Sequence, residues 1–439
     1  MKYKKIYRVV FILRKINDID HLSPLICKFY DNGHHVRLIT LGVVKIDNYL
    51  TKYIFSKTGL LIETPILDGV NKFSKYLIVT FEKIKLFSRS NNFYFFLKYF
   101  EFLYFYLRRY ILRREDAKNN VCDSVFDCNN TDLIITDKTN IFENSVYRNV
   151  AKYSSINNIP IIRIGHGFNT IVISDKSMDN NTILVPDLKN EVFDIYHSMI
   201  EIYRDSYDIR SNESSGIRIH EMSKEEVNTF LLGSMRYSKN WVNEYKEIQK
   251  FDRIPYPKVD LKKNTILVLM SATHHIYTDK IADLLNAISD RFDINIIYKP
   301  HTRHGEVSNK IKKLLNKKVE IIYSYKCTTA LIDVSDVVLL CGITSVGIHS
   351  IVDLKPIIFA EYTSKYQSYY SKYMNTHTFM SKDKVLNNIE IILNNKTDYA
   401  KNTTAIESIK EIINPNNSNN IIQEYYDLVS SIIDDSSVK

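Results

Sequence analysis

Five short apolar runs fall between residues 265 and 359, at 265–270, 294–298, 319–323, 337–340 and 356–359. Stretches of helical spacing separate them at 279–289, 307–316, 328–334 and 345–353. Runs this short and this continuously apolar suit strands buried on both faces, and parallel neighbours need a crossover such as a helix. The rhythm therefore predicts a doubly wound parallel sheet of the α/β class and argues against all-helical or all-β folds.

The first half carries the same rhythm with more interruptions. Strands are expected at 7–13, 35–41, 133–136, 159–164 and 183–185, with helices at 21–32 and 141–156, and Gly33 stands where a helix-ending glycine belongs. A polar stretch at 206–226 reads as loop, and Pro255 and Pro257 favour an extended connection. At roughly 100 to 200 residues per domain, 439 residues suggest two or three domains. The expected architecture is two Rossmann-like domains facing a cleft, 1–257 and 258–410. A helical segment at 411–439 follows, whose last helix, 421–433, packs back on the first domain.

Charge and cysteine usage narrow the class. The net charge is +9, from 59 basic and 50 acidic residues, which suits an anionic partner if the charge is clustered. No basic stretch interleaved with aromatics resembles an RNA-binding signature, so nucleic acid is not an expected partner. The five cysteines have no CxxC spacing, and Cys122 and Cys128 lack a histidine pair for zinc; they read as reduced thiols of a cytoplasmic protein. The apolar stretch at 9–13 is cut off by Arg14 and Lys15, too short for a secretion signal.

One insertion, near 90–116, departs from the rhythm: 93–112 is strongly aromatic and leads into Arg113 and Arg114. Lys98, Glu101, Arg108 and Arg109 within it make a membrane span costly. Two readings stay open, a helix of the first domain's core or lip and an interfacial element resting on anionic lipid at the inner face of the membrane.

The residues suited to chemistry gather at strand ends, where open α/β sheets bind ligands. His166, between Gly165 and Gly167, follows the run at 159–164 and is placed to act as a general base. Lys299, His301, Arg303 and His304 crowd the end of the run at 294–298 and suit a pyrophosphate. Thr344 or Ser345 can cap the next helix, whose start suits a phosphate, and Ser271 and Thr273, after the first run, are small hydroxylated residues that can approach one. Neither GxGxxG nor GxxxxGK[ST] is present, so nicotinamide and P-loop chemistry lack their fingerprints.

In order, the chain carries HG after a strand, Gly233-Ser234-Met235-Arg236, KPH at 299–301, SDVVLL at 335–340, TSVG at 344–347 and KPIIF at 355–359. Across about 160–360 this order resembles the GT-B glycosyltransferase-like proteins of bacterial surface polysaccharide synthesis. It is most similar to the CDP-glycerol glycerophosphotransferases and capsule polysaccharide transferases. The resemblance implies a nucleotide-activated donor, a polysaccharide or lipid-linked acceptor and no metal or other cofactor. His166 looks like the catalytic base, His301 like the donor-phosphate histidine, and Thr344 and Ser345 like the phosphate-binding hydroxyls. His349 stands where the capsule type has a ribose-binding glutamate, with Asp353 a possible substitute. A nucleotide-sugar 2-epimerase of the same fold and a non-catalytic glycan- or nucleotide-binding subunit are the alternatives.

Overall fold

The structure, a computed structural model, describes residues 5–13, 16–40, 48–65, 130–137, 159–164, 171–175, 199–203, 227–271, 276–300, 305–317, 319–342, 346–368, 374–395 and 418–436. Residues 344 and 414 and scattered positions between 72 and 157 complete the set. The chain forms two compact units. The first comprises Met1–Gly167, His197–Ser238 and Ser418–Lys439; the second comprises Phe168–Tyr196 and Lys239–Asn417.

In the first unit, β1 (Arg8–Leu13) is the central strand, and Val9 to Leu13 are all buried. Helix α1 (Ile16–Asp31) lays Ile19, Leu22, Ile26 and Phe29 against the sheet, an i, i+3, i+7, i+10 stripe. It begins five residues before the expected 21–32 and contains Pro24. This apolar stripe outweighs the polar Asn17 and Asp18 and the missing proline N–H. Gly33 ends the helix at φ +81°, with its N–H on Tyr30 O and that of His34 on Phe29 O.

Strands β2 (His35–Thr40), β3 (Ile62–Glu63), β4 (Leu133–Asp137) and β5 (Ile161–Ile164) join β1 in parallel, and α2 (Tyr49–Thr58) lies between β2 and β3. The order is β3-β2-β1-β4-β5, extended by β7 (Met199–Tyr203) and β8 (Val227–Leu231); β7 runs antiparallel to both its neighbours. Strand β6 (Ile171–Asp175) belongs to the second unit, where it pairs antiparallel with β14 (Tyr366–Ser368). The expected strand at 183–185 and loop at 206–226, and most of the helix at 141–156 and of the insertion, lie outside the described residues.

The second unit's main sheet is parallel throughout. Its strands are β9 (Thr265–Met270), β10 (Asn295–Lys299), β11 (Ile321–Tyr323), β12 (Val337–Cys341), β13 (Ile357–Ala360) and β15 (Thr378–Phe379). Their order, β11-β10-β9-β12-β13-β15, is that of doubly wound nucleotide-binding sheets. The helices are α3 (Lys239–Ile248), α4 (Thr278–Arg291), α5 (Gly305–Leu314), α6 (Thr328–Asp333), α7 (Gly347–Val352) and α8 (Lys382–Asn394). Ile281, Leu284, Leu285 and Ile288 of α4 and Val385, Ile389 and Ile392 of α8 complete a core with β9 and β12.

The units divide at Ser238, not near residue 257. Two lysine-centred contacts explain the shift. Lys326 Nζ donates to Asp252 O (3.2 Å) and Ile254 O (2.8 Å), and Cys327 N–H donates to Asp252 Oδ2 (2.7 Å). Gln249 donates to Asp333 Oδ2 (2.9 Å), while Trp241, Tyr245 and Ile248 of α3 are buried. The proline-containing connection is thus part of the second unit.

The last helix, α9 (Ile421–Ser436), does pack on the first unit, against α1. Tyr7 N–H donates to His34 Nδ1 (3.1 Å), so His34 carries its proton on Nε2 and donates to Tyr426 Oη (2.8 Å). Tyr7 Oη donates to Asp434 Oδ2 (3.0 Å) beyond it.

Candidate functional site

A crevice in a doubly wound sheet opens where the chain reverses its direction of travel, because adjacent crossovers there leave on opposite sides. In the second unit that point lies between β9 and β12. Ser271, buried just after β9, donates its N–H to Cys341 O (3.1 Å) and draws the two strand ends together. Gly342 follows at φ +82°. A Cβ there would stand 2.3 Å from Ile276 Cγ2 and 2.8 Å from Ser271 Cβ, so the close approach at the crevice floor admits only glycine. Gly347 does the same for the helix: a Cβ would meet Leu340 Cδ1 at 2.4 Å, so its absence seats α7 on β12.

Thr344 follows β12 but is not the cap of α7. The helix starts at Gly347, the cap position is Val346, and Thr344 Oγ1 accepts from Val346 N–H at 3.4 Å. The hydroxyl therefore shapes the turn ahead of the helix. Ser345 and Thr273 lie outside the described residues.

Lys299 closes β10, two residues before His301. Its Nζ donates to the backbone carbonyl of Lys326, and burial lowers its ammonium from 10.5 to about 8. This bond ties the end of β10 to the loop at Lys326, which is itself held to Asp252. His301 and Arg303 fall outside the described residues, as does His166, two residues past the end of β5.

His349 is buried at 2% exposure, its ring edge-on to Tyr245 at 5.0 Å. It sits in the packing between α3 and α7 and not on an open surface. Asp353 lies beyond the other end of α7, at the amino edge of the sheet. Burial, and then the hydrogen-bonded Asp333 carboxyl, raise its pKa. It is therefore not a ribose ligand at the crevice.

The first unit holds a group that sequence reading did not assemble. Arg236 follows β8 at the carboxyl edge and meets Asp20 of α1 at 2.6 Å, with side-chain exposures of 16% and 12%. Its Nη1 lies 3.3 Å from His21 Nε2, and because a guanidinium only donates, His21 is neutral with its proton on Nδ1. Burial pushes the Asp20 carboxyl upward against the pull of Arg236. Asp20 and His21 are 216 and 215 positions from Arg236, so only the Gly233–Arg236 motif offered a signal.

Among the described residues no group of three or more His, Cys, Asp or Glu side chains could hold a metal ion. No protein-family profile and no curated protein matches the sequence. Solved structures do match over nearly the whole chain. One is a putative UDP-N-acetylglucosamine 2-epimerase from Listeria monocytogenes, with TM-score 0.50 and 9% identity over 98% of each chain. Another is the Neisseria meningitidis UDP-GlcNAc 2-epimerase bound to UDP-GlcNAc, with TM-score 0.49 and 11% identity over 97% of this chain and 100% of that one. A third is a glycosyltransferase from Rickettsia africae ESF-5, with TM-score 0.46 and 14% identity over 98% and 99%. The fold is of the GT-B type. At these identities the likeness is one of architecture, two α/β units each built on a parallel sheet core.

Proposed function

We propose that the chain is a GT-B transferase, moving a glycosyl or glycerol-phosphate-type group from a nucleotide-activated donor to a surface polysaccharide or lipid-linked acceptor. The observation that carries this reading is the glycine-floored crevice between β9 and β12. The motifs expected to hold phosphate begin at the strand ends around it. In this reading His166 takes the proton of the acceptor hydroxyl as its oxygen attacks the donor. The bond from the transferred group to the nucleotide then breaks, and the charge left on the nucleotide's phosphate is met by His301 and Arg303. The hydroxyls of Thr344, Ser345, Ser271 and Thr273 supply further donors. Lys299 stands at the end of β10 with one of its donors on Lys326 O, and His349 lies behind them in the packing of α7 against Tyr245. No metal takes part, and turnover is expected to survive a chelator.

Thermal shift against CDP-glycerol and CMP-, UDP- and GDP-linked donors tests the donor, since a ligand that binds only the folded state raises its stability. Mass spectrometry of the products then tests transfer. His166→Ala should keep donor binding and lose about 10²- to 10⁴-fold in rate, whereas His301→Ala should lose donor binding. Near-normal turnover by the first variant removes His166 from the role of base.

The Listeria structure favours one second reading, 2-epimerisation of a nucleotide sugar. It needs no acceptor, so conversion of UDP-GlcNAc by the protein alone separates it from transfer. Asp333 and Asp353, a carboxylate pair in the second unit, lie at the edge of the sheet away from the crevice and do not serve that chemistry. Stabilisation by a donor without any product would indicate a binding subunit.

A further inference from the structure

The Gly233–Arg236 motif ends in a side chain that the proposed transfer leaves unused. Arg236 Nη2 meets Asp20 Oδ2 at 2.6 Å, and its Nη1 lies 3.3 Å from His21 Nε2. The remaining polar atoms of the pair, Asp20 Oδ1 and Arg236 Nε, are buried and have no hydrogen-bond partner among the described residues. Asp20 as a whole is 8% exposed. Native proteins leave few buried polar atoms unmatched, and each calls for a reason. Stability is a poor one, because a buried ion pair seldom holds a fold better than apolar side chains of similar size would.

Position in the fold points to a ligand. Asp20 lies one turn into α1, the helix that leaves the carboxyl end of β1, and Arg236 follows β8 at the same edge of the sheet. Two more buried atoms without a partner among the described residues stand there: Thr136 Oγ1, next to last in β4, and Asn48 Nδ2, at the cap of α2. Open α/β sheets bind ligands at this edge. The Asp20 and Arg236 side chains keep 12% and 16% of their surface in solvent, so the pair lies just beneath the edge and not in the core.

The chemistry of the pair sets the class of ligand. Asp20 and Arg236 cancel in charge, and His21 is neutral because it accepts from a guanidinium. A phosphate or carboxylate would meet the Asp20 carboxylate beside the guanidinium and gain little net attraction. One acceptor and one donor, both on side chains already in contact, suit a group that accepts and donates at a single atom. That group is a hydroxyl.

We propose that Asp20 and Arg236 bind a neutral sugar in the first unit, one of its hydroxyls donating to Asp20 Oδ1 and that hydroxyl or its neighbour accepting from Arg236 Nε. The sugar's part as the acceptor rests on the transfer reading; its binding does not. A water held by the pair would match the same two atoms but would give no discrimination among sugars.

The test is saturation-transfer NMR on the full chain with methyl glucoside and N-acetylglucosamine as neutral probes and glucose 6-phosphate as the anionic one. A neutral probe should take up saturation from the parent. The double variant Asp20→Leu, Arg236→Met replaces the ion pair by an apolar one and should weaken that binding about tenfold or more while retaining the parent's far-UV circular dichroism. Asp20→Asn leaves the guanidinium charge unmatched, so glucose 6-phosphate should bind this variant about tenfold more tightly than it binds the parent. A purely structural ion pair would not produce that change of preference. Three results overturn the proposal: no saturation of either neutral probe by the parent, undiminished binding by the folded double variant, or no gain of glucose 6-phosphate binding in Asp20→Asn. None of these measurements needs turnover, so their failure leaves the transfer reading to its own product assay.

Discussion

Replacing Arg236 by Met leaves the Asp20 carboxyl buried without its partner. The native contact is 2.6 Å long and both side chains are largely shielded, so it falls among buried pairs, where removing one partner costs about 3 to 5 kcal/mol. That is a large part of the ~5 to 15 kcal/mol that stabilises a typical folded domain. The loss should also depend on pH, with a definite sign. Burial already raises the Asp20 carboxyl, and without Arg236 it rises further. A carboxyl raised in the folded state contributes stability that is fully present below its unfolded pKa and lost as pH climbs through the folded one. The cost in Arg236→Met should therefore be smaller at about pH 4, where a neutral Asp20 leaves only an unsatisfied polar group worth ~1 to 3 kcal/mol, and larger at about pH 8. Denaturant unfolding followed by far-UV circular dichroism measures it. The single tryptophan, Trp241, lies buried in the second unit, and its fluorescence midpoint should move less. Adding Asp20→Leu to Arg236→Met should recover most of the loss, since an apolar pair can replace a buried ion pair. A loss below about 0.5 kcal/mol, or an equal loss at both pH values, would refute the reasoning.

Three further outcomes follow from the second unit. Gly342→Ala combines a left-handed backbone with a Cβ 2.3 Å from Ile276, so it should cost about 2 to 5 kcal/mol in denaturant unfolding and weaken any donor-induced thermal shift. Lys299, lowered to about 8, makes stability greatest above its ordinary 10.5 and lets it fall as pH drops towards 8, with no further loss below. Lys299→Met should flatten that slope in a pH series of unfolding midpoints. Asp353, raised by burial and by Asp333, makes stability fall as pH rises through its folded pKa. Asp353→Asn should therefore raise the unfolding midpoint at neutral pH and leave it unchanged in acid below the ordinary carboxylate range.

Much of the second unit was legible because its strands are buried on both faces. A run such as 337–340 has no solvent side to dilute the signal, and β12 appears at Val337–Cys341 as expected. The outer strands were harder. β15 is two residues long, and β7 and β8 carry Glu201 and Asn228 within them; sheet edges need less apolar sequence. The start of α1 was missed because local polarity at Asn17 and Asp18 resembles loop, while the stripe that decides the helix is satisfied only by the sheet below it.

The candidate site divides along the same line. Strand ends were readable from local pattern, so the positions of Ser271, Lys299 and Thr344 at the carboxyl edge of the second sheet were available from the sequence alone. What those side chains do was not. Lys299 is turned inward by a carbonyl from Lys326, His349 is covered by Tyr245, and Asp353 is paired with Asp333 at the opposite edge. Arg236 finds Asp20 and His21 across more than two hundred positions. Periodicity records which residues seek burial, and that is a local property of each strand and helix. Partner choice depends on which elements the crossovers bring side by side, and only the folded chain decides that.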